Sequence, residues 1–139
     1  MNILVCGGRM YGFKFENEKK VVDKEVAKFA FGVLNKIAAS YSINFDPVDN
    51  WLPTDICIIS GGADGADKLA EDWAVINYCQ WKTFPADWRR YGKAAGPIRN
   101  QQMIDKGKPD LVVAFPGGRG TANMIMLAKE NEIPVRIIE

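Results

Sequence analysis

The chain has 139 residues, 47% of them hydrophobic, and its 18 lysines and arginines nearly balance 17 aspartates and glutamates, leaving a net charge of +1. This length suits one domain spanning residues 1–139 with a substantial core, and the near-neutral charge argues against a protein that holds nucleic acid through a broad basic surface. No apolar run approaches the roughly 18 residues of a membrane span and no basic leader precedes the first apolar run, so we expect no membrane contact and a cytoplasmic location.

The first half of the chain predicts two strands and two helices. Residues 3–6 form a short apolar run, which we interpret as a strand, and an aromatic loop follows it. Asn17 is then a candidate N-cap for a long helix, because apolar residues recur at helical spacing at Val22, Val26, Phe29, Val33 and Ile37. Residues 40–54, rich in turn formers, predict a long connection that either folds over a sheet edge or decorates a site. Residues 56–59 predict the second strand and residues 65–78 the second helix.

The second half continues this alternation. Residues 81–84 predict a third strand at the edge of the sheet, because the run carries a lysine and ends at a proline. Residues 85–96 lack core periodicity and predict an exposed loop, and residues 97–106 predict a short helix with proline at its start and glycine just past its end. Residues 111–115 predict a fourth strand. A glycine-rich turn and a helix that ends at about residue 131 follow it, and residues 133–138 predict the final strand.

Strands that alternate with helices in this way predict an α/β fold. The sheet should be mostly parallel and doubly wound, with helices on both faces and hence three layers. Ligands of such sheets bind outside the carboxyl ends of the strands, where the winding direction switches. Candidate binding residues are therefore those that directly follow a predicted strand.

Three of the predicted strands end in glycine-rich turns, at residues 7–9, 60–67 and 116–121. Glycines let backbone N–H groups approach a phosphate, and a following helix N-terminus adds partial positive charge. The last turn holds three glycines in four positions, with Thr121 as a candidate helix cap, and predicts phosphate or ribose binding. Together the turns predict one shared pocket, with candidate residues Gly7, Gly8, Arg9, Ser60, Gly61, Gly62, Pro116, Gly117, Gly118, Arg119, Gly120 and Thr121.

Two aspartates in the second turn suit a different part of a ligand. Asp64 and Asp67 have the three-residue spacing of a capping pair, and their charges would repel a phosphate at that helix end. A carboxylate beside open backbone amides instead suits the hydroxyls of a ribose. Capping of the helix without any ligand is the alternative interpretation.

Positive charge is concentrated near the same turns. Arg9 follows the first turn, Arg99 lies in the first turn of a predicted helix, and Arg119 lies inside the last glycine turn. Arginine forks suit phosphate and carboxylate oxygens, so these side chains are candidates to converge on an anion. Trp88 and Tyr91, in the predicted loop, either stack on a base or fold back as a lid.

The sequence predicts no metal site. It contains no histidine, and its three cysteines lie in apolar neighbourhoods without CxxC spacing, which is typical of buried free thiols. Any catalysis would therefore depend on carboxylates, arginine, lysine, tyrosine or water. No cofactor is expected beyond a nucleotide-derived ligand.

Taken together, these motifs resemble the SLOG superfamily, and more narrowly its small single-domain branch related to YspA and YpsA. The resemblance also rests on Asp87-Trp88 and on residues 96–100, which include Arg99 and Asn100, and it covers nearly the whole chain except residues 40–54. It implies a Rossmann-like fold that binds nucleotides or nucleotide-derived ligands related to NAD and ADP-ribose, some of them messengers in phage immune signalling. Arg99 and Asn100 thereby join the candidate binding residues.

The resemblance extends to the Lonely Guy phosphoribohydrolases, whose signature is PGGxGTxxE. This chain keeps the binding part of the signature, but Met124 replaces the glutamate, and a thioether can neither stabilise an oxocarbenium-like charge nor activate water. We therefore expect binding for sensing or sequestration without turnover and no catalytic residue. The alternatives are an N-glycosidase that uses Asp64 or Asp67 and, by analogy with the DprA branch, DNA binding, which the net charge disfavours. The resemblance also implies a homo-oligomer paired through helices that flank the sheet.

Overall fold

The computed structural model describes residues 1–41 and 55–139. These residues form the strands β1 (Asn2–Cys6), β2 (Phe13–Glu16), β3 (Lys19–Val22), β4 (Cys57–Ser60), β5 (Gln80–Thr83), β6 (Leu111–Ala114) and β7 (Val135–Ile137). They also form the helices α1 (Lys24–Tyr41), α2 (Ala66–Ile76), α3 (Trp88–Tyr91), α4 (Ala95–Gly107) and α5 (Arg119–Glu130).

Five of the strands build one parallel sheet in the order β5-β4-β1-β6-β7. The chain first winds outward from β1 through β4 to β5 and then returns to the other side of β1 with β6 and β7. The winding direction therefore switches between β1 and β6, as in Rossmann-like folds. The predicted doubly wound parallel sheet is confirmed, and so is the position of β5 at its edge.

Helices cover both faces of the sheet and give three layers. Because side chains alternate along a strand, Ile3 and Val5 of β1 face α1 and α2, whereas Leu4 and Cys6 face α4 and α5. The central strands are buried on both faces, which explains their continuous apolar runs. A sheet packed in this way leaves the carboxyl ends of its strands as the edge on which a site can be built.

The predicted aromatic loop is instead an antiparallel hairpin of β2 and β3. Asn17 and Glu18 form its turn, both with positive φ, of 50° and 63°, which is the conformation that matches the twist of a two-residue hairpin. The prediction that Asn17 caps the first helix was therefore wrong. Asp23 does so instead, since its Oδ1 accepts a hydrogen bond from the Val26 amide at 3.3 Å.

The buried face of α1 is rotated relative to the predicted one. Its fully buried residues are Ala30, Leu34, Ile37 and Ala38, whereas Phe29 is 51% exposed. Val22 belongs to β3 and is also exposed. Small alanines on the inner face carry a weak hydrophobic signal. The prediction therefore followed the larger side chains and placed the buried face part of a turn away from its observed position.

Two further expectations need correction. The predicted loop at residues 85–96 contains α3, whose first turn is capped by Asp87, and a 3-10 turn at Gly92–Ala94 that leads into α4. Gly107 is the last residue of α4 rather than the residue after it, and Lys108 takes the left-handed position with φ of 47°. The connection predicted at residues 40–54 lies outside the described residues, apart from the end of α1.

Candidate functional site

The three glycine turns pack against one another at the carboxyl ends of β1, β4 and β6, which are neighbours in the sheet. The Gly8 amide donates to the carbonyl oxygen of Pro116 at 2.8 Å, and the Ala66 amide donates to the carbonyl oxygen of Gly8 at 3.2 Å. A Cβ at Gly7 would lie 2.6 Å from the Cβ of Ala66, so glycine is required there for close packing. The Gly8 amide is thus used within the protein, contrary to the expectation that it binds a phosphate.

A cavity of about 660 Å³ opens beside these turns, within the size range of small-molecule sites. Many of the predicted site residues line it. Its wall includes Gly7, Gly8, Arg9, Asp67, Arg99, Asn100, Gly118, Arg119, Gly120 and Thr121, together with Cys6, Met10, Ala63, Trp88, Lys93, Gly96, Pro97, Met103 and Asn123.

The start of α5 forms one side of the cavity. Gly118 is the N-cap residue and no side chain caps the helix there, so the first-turn N–H groups are not used by a capping side chain. The helix dipole adds partial positive charge at the same point. Thr121 lies in the third helical position and is 8% exposed, so the prediction that it caps this helix was wrong.

Four basic residues and one acidic residue line the cavity, at Arg9, Lys93, Arg99, Arg119 and Asp67. Arg99 is half-buried: its Nη1 donates to the carbonyl oxygen of Gly61 at 2.9 Å and its Nε donates to Oδ1 of Asn100 at 3.1 Å. Burial lowers the pKa of Arg99, Asp67 opposes that shift, and Arg9 adds to it. The cavity therefore combines a fixed guanidinium with an excess of positive charge.

Asp67 is the acidic group of the cavity wall and is 7% exposed. Its Oδ2 accepts a hydrogen bond from the Ala63 amide at 3.1 Å, which braces the turn before α2. Burial raises the pKa of Asp67 from 3.8 to about 6, although the Ala63 amide and Arg99 oppose that rise. A carboxyl group that titrates near neutrality inside a cavity is a candidate for both binding and proton transfer.

Cys6 also lies in the cavity wall and is 7% exposed. Burial and, to a smaller extent, the charge of Asp67 raise its pKa from 9.0 to about 12, although Arg99 opposes that rise. Since only the thiolate is a strong nucleophile, the thiol acts as a small apolar wall residue. Among the described residues no group of three or more His, Cys, Asp or Glu side chains is placed to hold a metal ion.

A second compartment of about 350 Å³ adjoins the first. The two share Arg9, Ala63, Trp88 and Arg99, and the guanidinium of Arg9 lies over the Trp88 ring, 5.0 Å from its centroid. The second compartment is otherwise lined by Gly61, Gly62, Asp64, Pro85 and Ala86. The Arg9–Trp88 pair thus stands in a wall that both compartments share.

The two predicted aspartates occupy different environments. Asp64 lines the second compartment, its side chain is 71% exposed, and its Oδ2 lies 3.3 Å from Nζ of Lys20 on the hairpin. Asp67 lines the first compartment and is buried. The two aspartates predicted to suit sugar hydroxyls therefore lie one in each compartment.

Three predicted site residues lie away from both compartments. Ser60 is fully buried, and its hydroxyl donates to Oε1 of Glu71 at 2.6 Å. Pro116 and Gly117 line a separate crevice of about 330 Å³ beside the end of β7, together with residues such as Ile137 and Ile138. These three shape the turns rather than the walls of the main cavity.

Asn100 connects α4 to the start of α5. It is 4% exposed, and its Nδ2 donates to the carbonyl oxygen of Gly120 at 3.1 Å and to Oδ1 of Asn123 at 2.9 Å. Asn123 also lines the cavity, although the sequence did not single it out. Its place one residue before Met124, in the last motif, was the available signal.

Met124 is fully buried in the core between the sheet, α4 and α5. It does not line either compartment. The position at which the Lonely Guy signature carries its glutamate is therefore a core position in this chain, and a carboxylate there would be desolvated.

A Rossmann-like domain with an electropositive cavity at the carboxyl edge of its sheet is the class that fold and site together define. The family model described as "YspA, cpYpsA-related SLOG family" matches residues 1–91. The chain belongs to this family. The match includes the first two glycine turns and Trp88 and ends before α4, so the start of α5 lies beyond it.

Proteins similar to this chain include a phage protein and a solved structure. The Gene 61 protein of Mycobacterium phage D29 is 38% identical over 90 residues, which cover 60% of this chain and 71% of that protein. The X-ray structure of TM1055, a structural genomics target, has a TM-score of 0.60 at 18% identity and covers 97% of this chain and 72% of that chain. The second similarity shows the fold alone. The described residues include no helix long and apolar enough to cross a membrane.

Proposed function

We propose that this protein binds a nucleotide-derived small ligand that carries phosphate, and that it senses or sequesters the ligand in the cytoplasm without turning it over. The observation that supports this most is the meeting of the α5 N-terminus with Arg9, Arg99 and Arg119 around one cavity. Backbone N–H groups at a helix start and arginine forks both favour phosphate oxygens.

The paired compartments favour a two-part ligand such as ADP-ribose or NAD over a mononucleotide. Arg9 and Arg99 line both compartments, so a diphosphate beside them would leave one half of the ligand on each side. Asp64 and Asp67 would accept hydrogen bonds from sugar hydroxyls, one in each compartment. The similarity to a phage protein favours a role in phage–host signalling, in which sequestration of a messenger would be the output.

Calorimetric titration of the full chain with ADP-ribose, NAD, AMP and inorganic phosphate tests this proposal. We expect ADP-ribose or NAD to bind more tightly than AMP, and phosphate to bind weakly. Arg9→Gln should weaken binding, whereas Arg89→Gln, which changes an exposed arginine of α3 outside both compartments, should not. Absence of binding by all four compounds, or equal loss in both variants, would contradict the proposal.

A second candidate, an N-glycosidase, is favoured by the raised pKa of Asp67 beside Arg99 in the cavity. Such an enzyme would use the carboxyl group as acid or base at the glycosidic bond. Incubation with NAD, ADP-ribose and nucleoside monophosphates, followed by chromatography for released base, separates the two functions. Base release that Asp67→Asn abolishes and Asp64→Asn leaves intact would replace the binding function by this one.

A further inference from the structure

A groove of about 480 Å³ lies along the outer side of α1, and no contact described so far accounts for it. Along it lie Glu25, Phe29, Gly32 and Lys36, flanked by Lys28 and Val33. The four residues follow one another at intervals of four, three and four, which is the repeat by which two helices pack along a shared seam. Phe29, in the middle of this seam, is 51% exposed.

Nothing in the described part of the chain requires glycine at position 32. It lies inside an 18-residue helix, where glycine is the least favourable residue except proline. It is not among the residues with positive φ, and a Cβ at this position would meet no atom within 4 Å. A notch beside an exposed phenylalanine instead allows a second helix to approach closely.

We propose that this seam is the interface of a homodimer, in which two α1 helices pack antiparallel about a two-fold axis. One register seats Phe29 over the partner's Gly32 and sets Glu25 opposite the partner's Lys36. Two-fold symmetry repeats both contacts, so the surface is complementary to itself in shape and in charge. A shift by one helical turn in either direction would instead set Phe29 opposite a lysine of the partner.

The charges at the two ends of the seam are available for this pairing. Within residues 1–41 and 55–139, neither Glu25 nor Lys36 takes part in an ion pair. A single helix of 18 residues offers little surface, so the contact area should fall near the lower limit of specific interfaces. The dimer does not depend on the proposed ligand, because the seam and the cavity share no residue.

Sedimentation velocity of the full chain, from low micromolar to several hundred micromolar, tests the interface. Glu25→Lys should raise the dimer dissociation constant by about tenfold or more, because it sets lysine against lysine at both ends. The double variant Glu25→Lys, Lys36→Glu should restore association. Glu130→Lys, an equal charge change on an exposed position of α5, should leave it unaltered.

Gly32→Ala separates loss of the interface from loss of folding. The added methyl group fills the notch, so the dimer should weaken, while the thermal midpoint of the dissociated protein should stay the same or rise. A chain that sediments as a monomer throughout would overturn the proposal. A dimer whose dissociation constant is unchanged by both Glu25→Lys and Gly32→Ala would overturn the proposal as well.

Discussion

Nη1 of Arg99, on α4, donates to the carbonyl oxygen of Gly61, in the turn after β4, at 2.9 Å. This hydrogen bond joins a helix on one face of the sheet to the turn that begins the α2 layer on the other. Nε of the same guanidinium donates to Asn100, which in turn holds the start of α5. One side chain therefore fixes the relative position of two walls of the cavity.

Arg99→Lys should weaken binding of a phosphate-bearing ligand by about tenfold or more, since an ammonium group cannot keep both hydrogen bonds and the planar fork. Titration with ADP-ribose measures the change. The matched substitution Arg89→Lys, on α3 and away from both compartments, should leave the affinity unchanged. Binding by Arg99→Lys equal to that of the unchanged chain would show that only the charge matters at this position.

Asp67 should make the protein less stable as the pH rises from about 4 to about 6. Its pKa is higher in the folded state, at about 6, than the ordinary value of 3.8. The folded chain therefore binds the proton more tightly, and this contribution is fully present below pH 3.8 and lost as the pH rises through 6. With about 1.4 kcal/mol for each pKa unit, the loss is at most about 3 kcal/mol.

Urea unfolding of Asp67→Asn against the unchanged chain isolates this contribution. The variant keeps an oxygen to accept from the Ala63 amide but carries no charge, so it should be more stable at pH 7.5 by about 1–3 kcal/mol, and the gain should vanish near pH 3.5. Asp72→Asn, on the same helix with a side chain that is 47% exposed, should change stability by less than about 1 kcal/mol. A variant that is less stable than the unchanged chain at pH 7.5 would contradict this explanation.

The strands that form the centre of the sheet could be predicted from the sequence, because strands buried on both faces produce continuous apolar runs. Residues 3–6 and 111–115, predicted as strands, correspond to β1 and β6 within one residue at each end. The turns after them carry glycines that mark their place at the carboxyl edge. Local chemistry and the rule for parallel sheets were sufficient to place these turns together.

The hairpin and the contact between Trp88 and Arg9 could not be predicted in the same way. Among residues 1–41 and 55–139 the hairpin strands are mostly exposed and pair only with each other, so they carry no pattern of burial. Trp88 lines the cavity with its ring next to the guanidinium of Arg9, which is a contact between distant parts of the chain. Likewise, the hydrogen bond from the Gly8 amide to the Pro116 carbonyl oxygen depends on how two turns pack together, and the sequence of neither turn alone predicts it.

Gly65→Ala should destabilise the protein more than Gly92→Ala. Both glycines have nearly the same backbone conformation, with φ of 79° and 56° and ψ of −127° and −131°, so alanine carries similar backbone strain at both positions. A Cβ at Gly65 would lie 2.6 Å from the Arg9 carbonyl group, whereas at Gly92 it would meet no atom within 4 Å. The steric clash should add about 1–3 kcal/mol in urea unfolding. Equal losses would mean that the turns do not pack as closely as described.

Trp88→Ala should weaken binding of ADP-ribose by about 5- to 100-fold, because a base stacked on an aromatic ring contributes about 1–3 kcal/mol. Trp88 lines both compartments and its ring is 48% exposed, so a ligand in either compartment can reach it. Trp88→Phe should retain most of the affinity, since a ring remains. Trp81, equally exposed on β5 but outside both compartments, provides the matched control, and Trp81→Ala should bind normally. If Trp88→Ala weakens the binding of inorganic phosphate as much as the binding of ADP-ribose, the ring acts by positioning Arg9 rather than by stacking on a base. The stacking interpretation would then be wrong.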